Sequence, residues 1–457
     1  MQLKSLFPAI SAFWRRLRDD RRGNVLMILG FSIIPLTLAT GMSVDYARAA
    51  RLQTKLNAAA DAAALLAVSK QMMLQTNTTA KAAAENFFDS QTTNQPGLIY
   101  SASNRVVTIT GTVGASNTRT AVVTYTANST NAFSAVLGMS SIAIGGSSTA
   151  TSSQAPNIDF YVMLDTSPSM LLPATSTGLT TMTTATGGCA FACHQTNVTY
   201  SSSNAELKCS GSNHTSCVDY YQVARNNSLS LRTDLVTEAV QNLTDVATTT
   251  AASNGAHYRM GLYQFDYRYQ KVWPTTSAVV DASLSTVKTH VTDAQILTYC
   301  VNNQRVCGTG DNDTGTNFTA AFTGALGSMP TAPGQGTNVT GDTPMALLFI
   351  VSDGMRDELS GGSRFMGPIP TSQCDTIKAR GIRIAVLHTE YLPESASDSW
   401  SISNVKTPYL SPTDNISPAL ISCASPGLYY QVTTDSDITA ALAALFQRAV
   451  ATAHLIQ

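Results

Sequence analysis

The chain has 457 residues, 28 of them Lys or Arg and 29 Asp or Glu, for a net charge of −1. Only 12% of it is charged, about half of the roughly 25% usual in globular chains, and so even a balance argues against a large basic nucleic-acid surface. A hydrophobic share of 44% can support a core, which excludes disorder of the whole chain; the polar remainder is mostly Thr, Ser, Asn and Gln, as suits an exported surface.

Residues 1–24 are a basic leader carrying Lys4, Arg15, Arg16, Arg18, Arg21 and Arg22. Residues 25–44 (VLMILGFSIIPLTLATGMSV) contain no charge; twenty residues at ~1.5 Å rise span ~30 Å, one hydrocarbon thickness. Pro35 is tolerable in a membrane helix. The excess of positive charge before this run keeps the leader cytoplasmic and exports the rest of the chain. A cleaved signal peptide is the rival, with Ala47-Arg48-Ala49 as a passable site, but leader and apolar run are both long for one. Residues 45–69 are Ala-rich and extend the helix. Leu52, Leu56, Ala59, Ala63 and Leu66 recur at helical spacing, a seam that suits either another helix approaching closely or the protein's own next domain.

Residues 70–95 read as polar helix, ending at the turn Asn94-Gln-Pro-Gly97. Segments 105–110 and 120–126 alternate as half-buried strands do, and an apolar run comes next at 141–144. Together they predict a small α+β domain over 70–150. The composition of 145–156 is that of a flexible linker, with 151–156 as the domain boundary. From residue 157 to 457 the pattern becomes strands at 158–164, 257–265, 346–351 and 382–388 interleaved with helices at 231–247 and 435–452. This predicts an α/β fold, a doubly wound and mainly parallel sheet.

After the first of these strands comes Asp165-Thr-Ser167-Pro-Ser169, which resembles the D-x-S-x-S signature of the von Willebrand factor type A family. Thr316, in Asp313-Thr-Gly-Thr316, and Asp353, closing the strand Phe349-Ile-Val-Ser-Asp353, match the family's later threonine and aspartate. In an open sheet of this kind the loops after strands one and four meet at the switch point, so Asp165 and Asp353 should converge. Two carboxylates with the hydroxyls of Ser167, Ser169 and Thr316 form an oxygen set for a hard dication, Mg2+ or else Ca2+ or Mn2+. Their charge cancels that of the ion and leaves an acidic side chain of a protein partner free to complete the shell. The resemblance implies that Asp353 acts largely through water. The plainer reading is that Asp165 and the serines cap a helix start. Asp311 and Asp313 suggest a calcium loop, but the spacing is incomplete and solvated loop residues are expected.

Eight cysteines lie beyond the apolar run, an even number that favours disulfides. Cys300–Cys307 and Cys374–Cys423 are the expected pairs, with Cys189, Cys193, Cys209 and Cys217 pairing among themselves in an insertion at 171–220 that has little core of its own. Cys189-Ala-Phe-Ala-Cys193-His194 is one residue too long for c-type haem attachment, and zinc on cysteines with His194 or His214 is a minor alternative. There is no G-x-S-x-G, H-E-x-x-H or phosphate loop, and His257 reads as packing, so an enzyme is not expected.

The stretch Arg21-Arg-Gly-Asn-Val25, the apolar run, and Leu52-Gln with Asn57-Ala-Ala-Ala-Asp61-Ala-Ala-Ala64 look like tight-adherence (Flp/Tad) pilus assembly proteins of the TadG type. The small domain, the type A domain and the Cys-Ala-Phe-Ala-Cys-His segment agree. The resemblance implies a single-pass bacterial inner-membrane protein, its bulk in the periplasm, acting in pilus assembly or anchoring with membrane proteins of the pilus system. The alternative is a released or surface-exposed adhesin. Minor pilins of the system carry Glu five residues after the processing glycine; here Gly23 is followed by Ile28 at that place, which favours a permanent anchor.

Overall fold

The computed structural model describes residues 22–73, 75–111, 118–201, 206–301, 304–308, 314–337, 341–433 and 436–453. Most of the basic leader, and Asp311 and Asp313, lie outside them. The chain divides into two compact units, one ending at Ser152 and the other beginning at Ser153.

In the first unit, helix α1 (Arg22–Ala67) is a single element of 46 residues with Pro35 inside it, so the apolar run and the Ala-rich segment are continuous. Its distal seam is not left for another helix. Leu52, Leu56, Ala59 and Ala63 are buried against Phe88 of α2 (Asn77–Thr92) and against Val107, Val123 and Tyr125 of a four-stranded sheet. The sheet contains β1 (Leu98–Ile99), β2 (Arg105–Thr110), β3 (Thr118–Thr130) and β4 (Ser141–Ser153), with β3 pairing all three others. Arg119 closes the end of α1: fully buried, it donates to the carbonyls of Met72 at 2.5 Å and Gln75 at 2.6 Å. Strand β4 corrects the expected linker. It continues to Ser153 because Thr and Ser suit a half-buried strand and because Ile144 and Ala150 point inward. Asn157 already belongs to the second unit, where its N–H donates to the Gly336 carbonyl at 2.8 Å. What remains of the linker is residues 154–156.

The second unit is built on six strands: β5 (Ile158–Asp165), β8 (Tyr258–Phe265), β9 (Tyr269–Trp273), β10 (Met345–Ser352), β13 (Arg383–Thr389) and β14 (Tyr429–Val432). Their spatial order is β9-β8-β5-β10-β13-β14. All pairings are parallel except that of the edge strand β9. This is the doubly wound sheet expected from the sequence, with the chain order reversing between β5 and β10. Alternate residues serve the two faces. Phe160, Val162 and Leu164 pack under helices α4 (Arg232–Asn254) and α8 (Ile438–Thr452), while Tyr161 and Met163 face α5 (Phe318–Ser328), α6 (Thr371–Ala379) and α7 (Ile416–Cys423).

A hairpin and an insertion lie outside the repeat. The hairpin, β11 (Met355–Ser360) with β12 (Ser363–Pro368), comes directly after β10. The insertion contains α3 (Ser176–Thr186) and the pair β6 (Leu207–Ser210) and β7 (Ser216–Asp219). Contrary to expectation it has a core: Leu171, Met182 and Ala192 pack with Tyr220, Val223 and Leu231. Disulfides join Cys300 to Cys307, Cys374 on α6 to Cys423 on α7, and Cys209 to Cys217 across β6–β7. Cys189 and Cys193, expected to complete the pairing within the insertion, are free thiols.

Candidate metal centre

The parallel pairing of β5 and β10 sets Leu164 opposite Val351. One residue further on, Asp165 and Ser352 are neighbours, and the Ser352 hydroxyl donates to Asp165 Oδ2 at 2.5 Å. Asp353 follows directly after the last residue of β10. The two predicted carboxylates therefore leave adjacent strand ends at the switch point, and both are buried.

Each carboxylate has one oxygen engaged by its own loop. Asp165 Oδ1 accepts the Ser167 N–H at 2.9 Å, and Asp353 Oδ1 accepts the Met355 N–H at 3.0 Å. Among the described residues, buried Asp353 Oδ2 has no partner at hydrogen-bond distance. Burial first, and the Asp353 charge second, push the Asp165 carboxyl up to about 7. Burial raises Asp353 as well, although the Ser169 hydroxyl, the Met355 N–H and the Arg232 charge favour its ionised form.

The serines are not used as caps. Ser167 precedes the short 3-10 turn Pro168–Leu171 without a side-chain capping bond, and its hydroxyl lies 3.0 Å from that of Ser169. Thr316 reaches the site through the hairpin. Its N–H donates to the Asp357 carbonyl at 2.9 Å, and the Asp357 N–H donates back to the Thr316 carbonyl at 2.9 Å. Thr316 and Ser169 line one cavity of about 200 Å³, shared with Met355, Phe191, Cys193 and Tyr391. On its wall, Arg364 donates from Nε and Nη2 to the two oxygens of Asp357, each at 2.8 Å, and its guanidinium lies over the Trp400 ring.

Asp165, Ser167, Ser169 and Asp353 thus form one connected group, and Thr316 shares the cavity with Ser169. Among the described residues no three His, Cys, Asp or Glu side chains gather as a metal site; this set is two carboxylates plus hydroxyls. It suits a hard dication on three counts: an orphaned buried carboxylate oxygen, two carboxylates whose mutual repulsion a cation would relieve, and neutral hydroxyl donors. The sequence reading missed Ser352 and Arg232. Arg232 is buried at the start of α4, donates from Nη2 to the Glu390 carbonyl at 2.5 Å, and has Asp353 as the main charge favouring its own ionised form. The signal for Ser352 was available, since it adjoins Asp353 and must lie beside Asp165 once the strands are in register. The other cysteine-segment ligands go elsewhere: His194 Nδ1 lies 2.8 Å from Asp219, and His214 stacks on Tyr200.

Residues 23–70 match the family described as putative Flp pilus-assembly TadE/G-like. No curated protein matches the chain. Solved structures similar to it include von Willebrand factor A domains. The conserved hypothetical protein BatB from Bacteroides thetaiotaomicron is 12% identical, with 65% of this chain and 100% of that one covered at a TM-score of 0.32. The von Willebrand factor domain of the type V pili tip protein Mfa5 from Porphyromonas gingivalis is 9% identical over 66% of this chain and 96% of that one, at 0.33. Proximal thread matrix protein 1 from the mussel byssus, with a zinc-occupied MIDAS motif, is 12% identical over 65% of this chain and 49% of that one, also at 0.33.

Proposed function

We propose that this chain is a membrane-anchored component of tight-adherence pilus assembly or anchoring, with its second unit in the periplasm. There it binds a protein partner through a divalent ion, Mg2+ or else Ca2+ or Mn2+. Asp165, Ser167, Ser169 and Thr316 are the proposed ligands, and Asp353 acts directly or through water. A bound ion would supply a Lewis-acidic coordination position for an acidic side chain of the partner. The protein's own part is to hold the oxygens together at the switch point and to keep the carboxylates buried, so that they favour a cation over water. The role is binding rather than catalysis.

The observation that carries this reading is Asp353 Oδ2, buried without a hydrogen-bond partner among the described residues and one strand away from a second buried carboxylate. Such an arrangement is costly unless a cation completes it. The match of residues 23–70 supports the pilus assignment, and the apolar helix beginning in that segment supports the anchor.

Thermal unfolding of the full chain in detergent tests the site. At a hundredfold excess over Kd an ion that binds only the folded state adds about 2.7 kcal/mol, so Mg2+ should raise the melting temperature by several degrees in the wild type and not in Asp165→Ala. An equal rise in both would remove Asp165 from the ligand set.

A further inference from the structure

The connection from β3 to β4 in the first unit holds four exposed apolar side chains within seven residues. Phe133 is 49% exposed, Val136 79%, Leu137 50% and Met139 51%. Single exposed apolar residues are ordinary on any protein, but a contiguous cluster marks a contact surface. No charged residue occurs between Arg119 and Asp159, so no charge in this loop opposes its entry into a bilayer.

Its position on α1 is fixed by Asp45, the first charged residue after the apolar run. Asp45 is buried, and its carboxylate accepts the N–H groups of Ala132 at 2.8 Å, Phe133 at 3.0 Å and Ser134 at 2.7 Å, together with the Ser134 hydroxyl at 2.9 Å. One turn earlier is Gly41, where an added Cβ would meet the Phe133 ring at 2.5 Å; the absent side chain is what lets the ring lie on the helix. Four residues at ~1.5 Å put that contact ~6 Å inside the apolar run, within the roughly 5–10 Å to which interfacial elements enter a bilayer. The loop backbone is also prepared for a water-poor setting. Besides the bonds to Asp45, the N–H groups of Asn131, Val136, Gly138 and Met139 all donate to carbonyls within the loop. Tyr46, 70% exposed beside Asp45, is of the type found at membrane interfaces.

We infer that residues 133–139 are a second membrane contact, an apolar loop that dips into the lipid headgroup–acyl boundary beside α1. The inference rests on the reading of residues 25–44 as a membrane span. It restricts how the first unit can tilt on the bilayer, because a single span leaves the tilt of the domain it holds unconstrained.

The test uses the full chain in vesicles of phosphatidylethanolamine and phosphatidylglycerol whose acyl chains are brominated either near the headgroup or near the chain end. Val136→Trp and Phe31→Trp are each measured against wild type, which carries three tryptophans. Both sites are exposed in the protein, so neither change disturbs packing. The added emission of Val136→Trp should lose most of its intensity to bromine near the headgroup, and that of Phe31→Trp to bromine deeper in the chain. Quenching at position 31 with none at 136 overturns the loop contact and leaves the anchor standing. No quenching at either position overturns the anchor itself, and the inference with it.

Discussion

Asp165 illustrates what a residue's surroundings add to its motif. The D-x-S-x-S pattern marks it, but its chemistry comes from burial, from Asp353 one strand away, and from Ser352, whose hydroxyl it accepts. Ser352 adjoins Asp353 in the strand motif, whereas Arg232 belongs to no motif and becomes visible only when strands and helix are assembled, because its charge reaches Asp353 through the fold and not through sequence proximity. The raised Asp165 carboxyl has a definite sign in pH dependence. Its folded value, about 7, lies above the ordinary 3.8, so between these limits the ion-free folded state binds more protons than the unfolded chain, and its stability falls as pH rises. His388, lowered by burial to about 4 from 6.5, contributes the opposite slope over much of that range. The Asp165 contribution is therefore read as the difference between wild type and Asp165→Asn in urea unfolding without divalent ions. That difference should move against the wild type as pH rises from about 4 to 7. Mg2+ affinity should strengthen over the same interval, since the ion needs the ionised carboxylate. A pH-independent difference would mean that Asp165 is ionised throughout.

At the level of elements, the strands with continuous apolar runs were legible, since burial on both faces demands such runs. The hairpin after Asp353 has only a short signal in the sequence, the pair Gly361 and Gly362, whose φ of +61° and +85° suit a tight two-residue hairpin turn. That hairpin holds the backbone of Thr316, so it supplies the seat for a proposed ligand. The Ala-rich seam shows the opposite case: its spacing fits a partner helix and the protein's own sheet equally well, and only the packing of Leu52, Leu56 and Ala63 on Phe88 and Tyr125 decides. The disulfides also act between elements. Cys374 and Cys423 are separated by 49 positions, whereas Cys209 and Cys217 are separated by 8. Loop-closure entropy then assigns about 4 kcal/mol to the long link and about 2.5 kcal/mol to the short one. Replacing both Cys374 and Cys423 by Ala should lower the unfolding free energy of the second unit by several kcal/mol, while the corresponding Cys209 and Cys217 pair costs less. Denaturant midpoints of the two double variants, compared with wild type, check the order. A reversed order would show that the β6–β7 pair stabilises more than its loop length allows.

On the scale of the whole molecule, composition indicated an exported surface and the change of pattern near residue 157 located the start of the α/β sheet. The extent of β4 was obscured because Ser and Thr serve strands and linkers alike. Two compact units divided between Ser152 and Ser153, with no helix or strand at 154–156, make a separable architecture. A protease recognition sequence inserted between Ser153 and Gln154 should therefore divide the protein without unfolding either part. Protease added from the periplasmic side of spheroplasts is expected to release the fragment from 154 onward into the supernatant, with its Mg2+-dependent rise in melting temperature intact, while residues 1–153 stay in carbonate-washed membranes. Cleavage only after the cells are opened would place the second unit on the cytoplasmic side and overturn the proposed orientation. A released fragment that no longer responds to Mg2+ would show that the site depends on the first unit. A cleaved fragment that remains with the membranes would give the second unit a membrane attachment of its own, beyond α1 and the 133–139 loop.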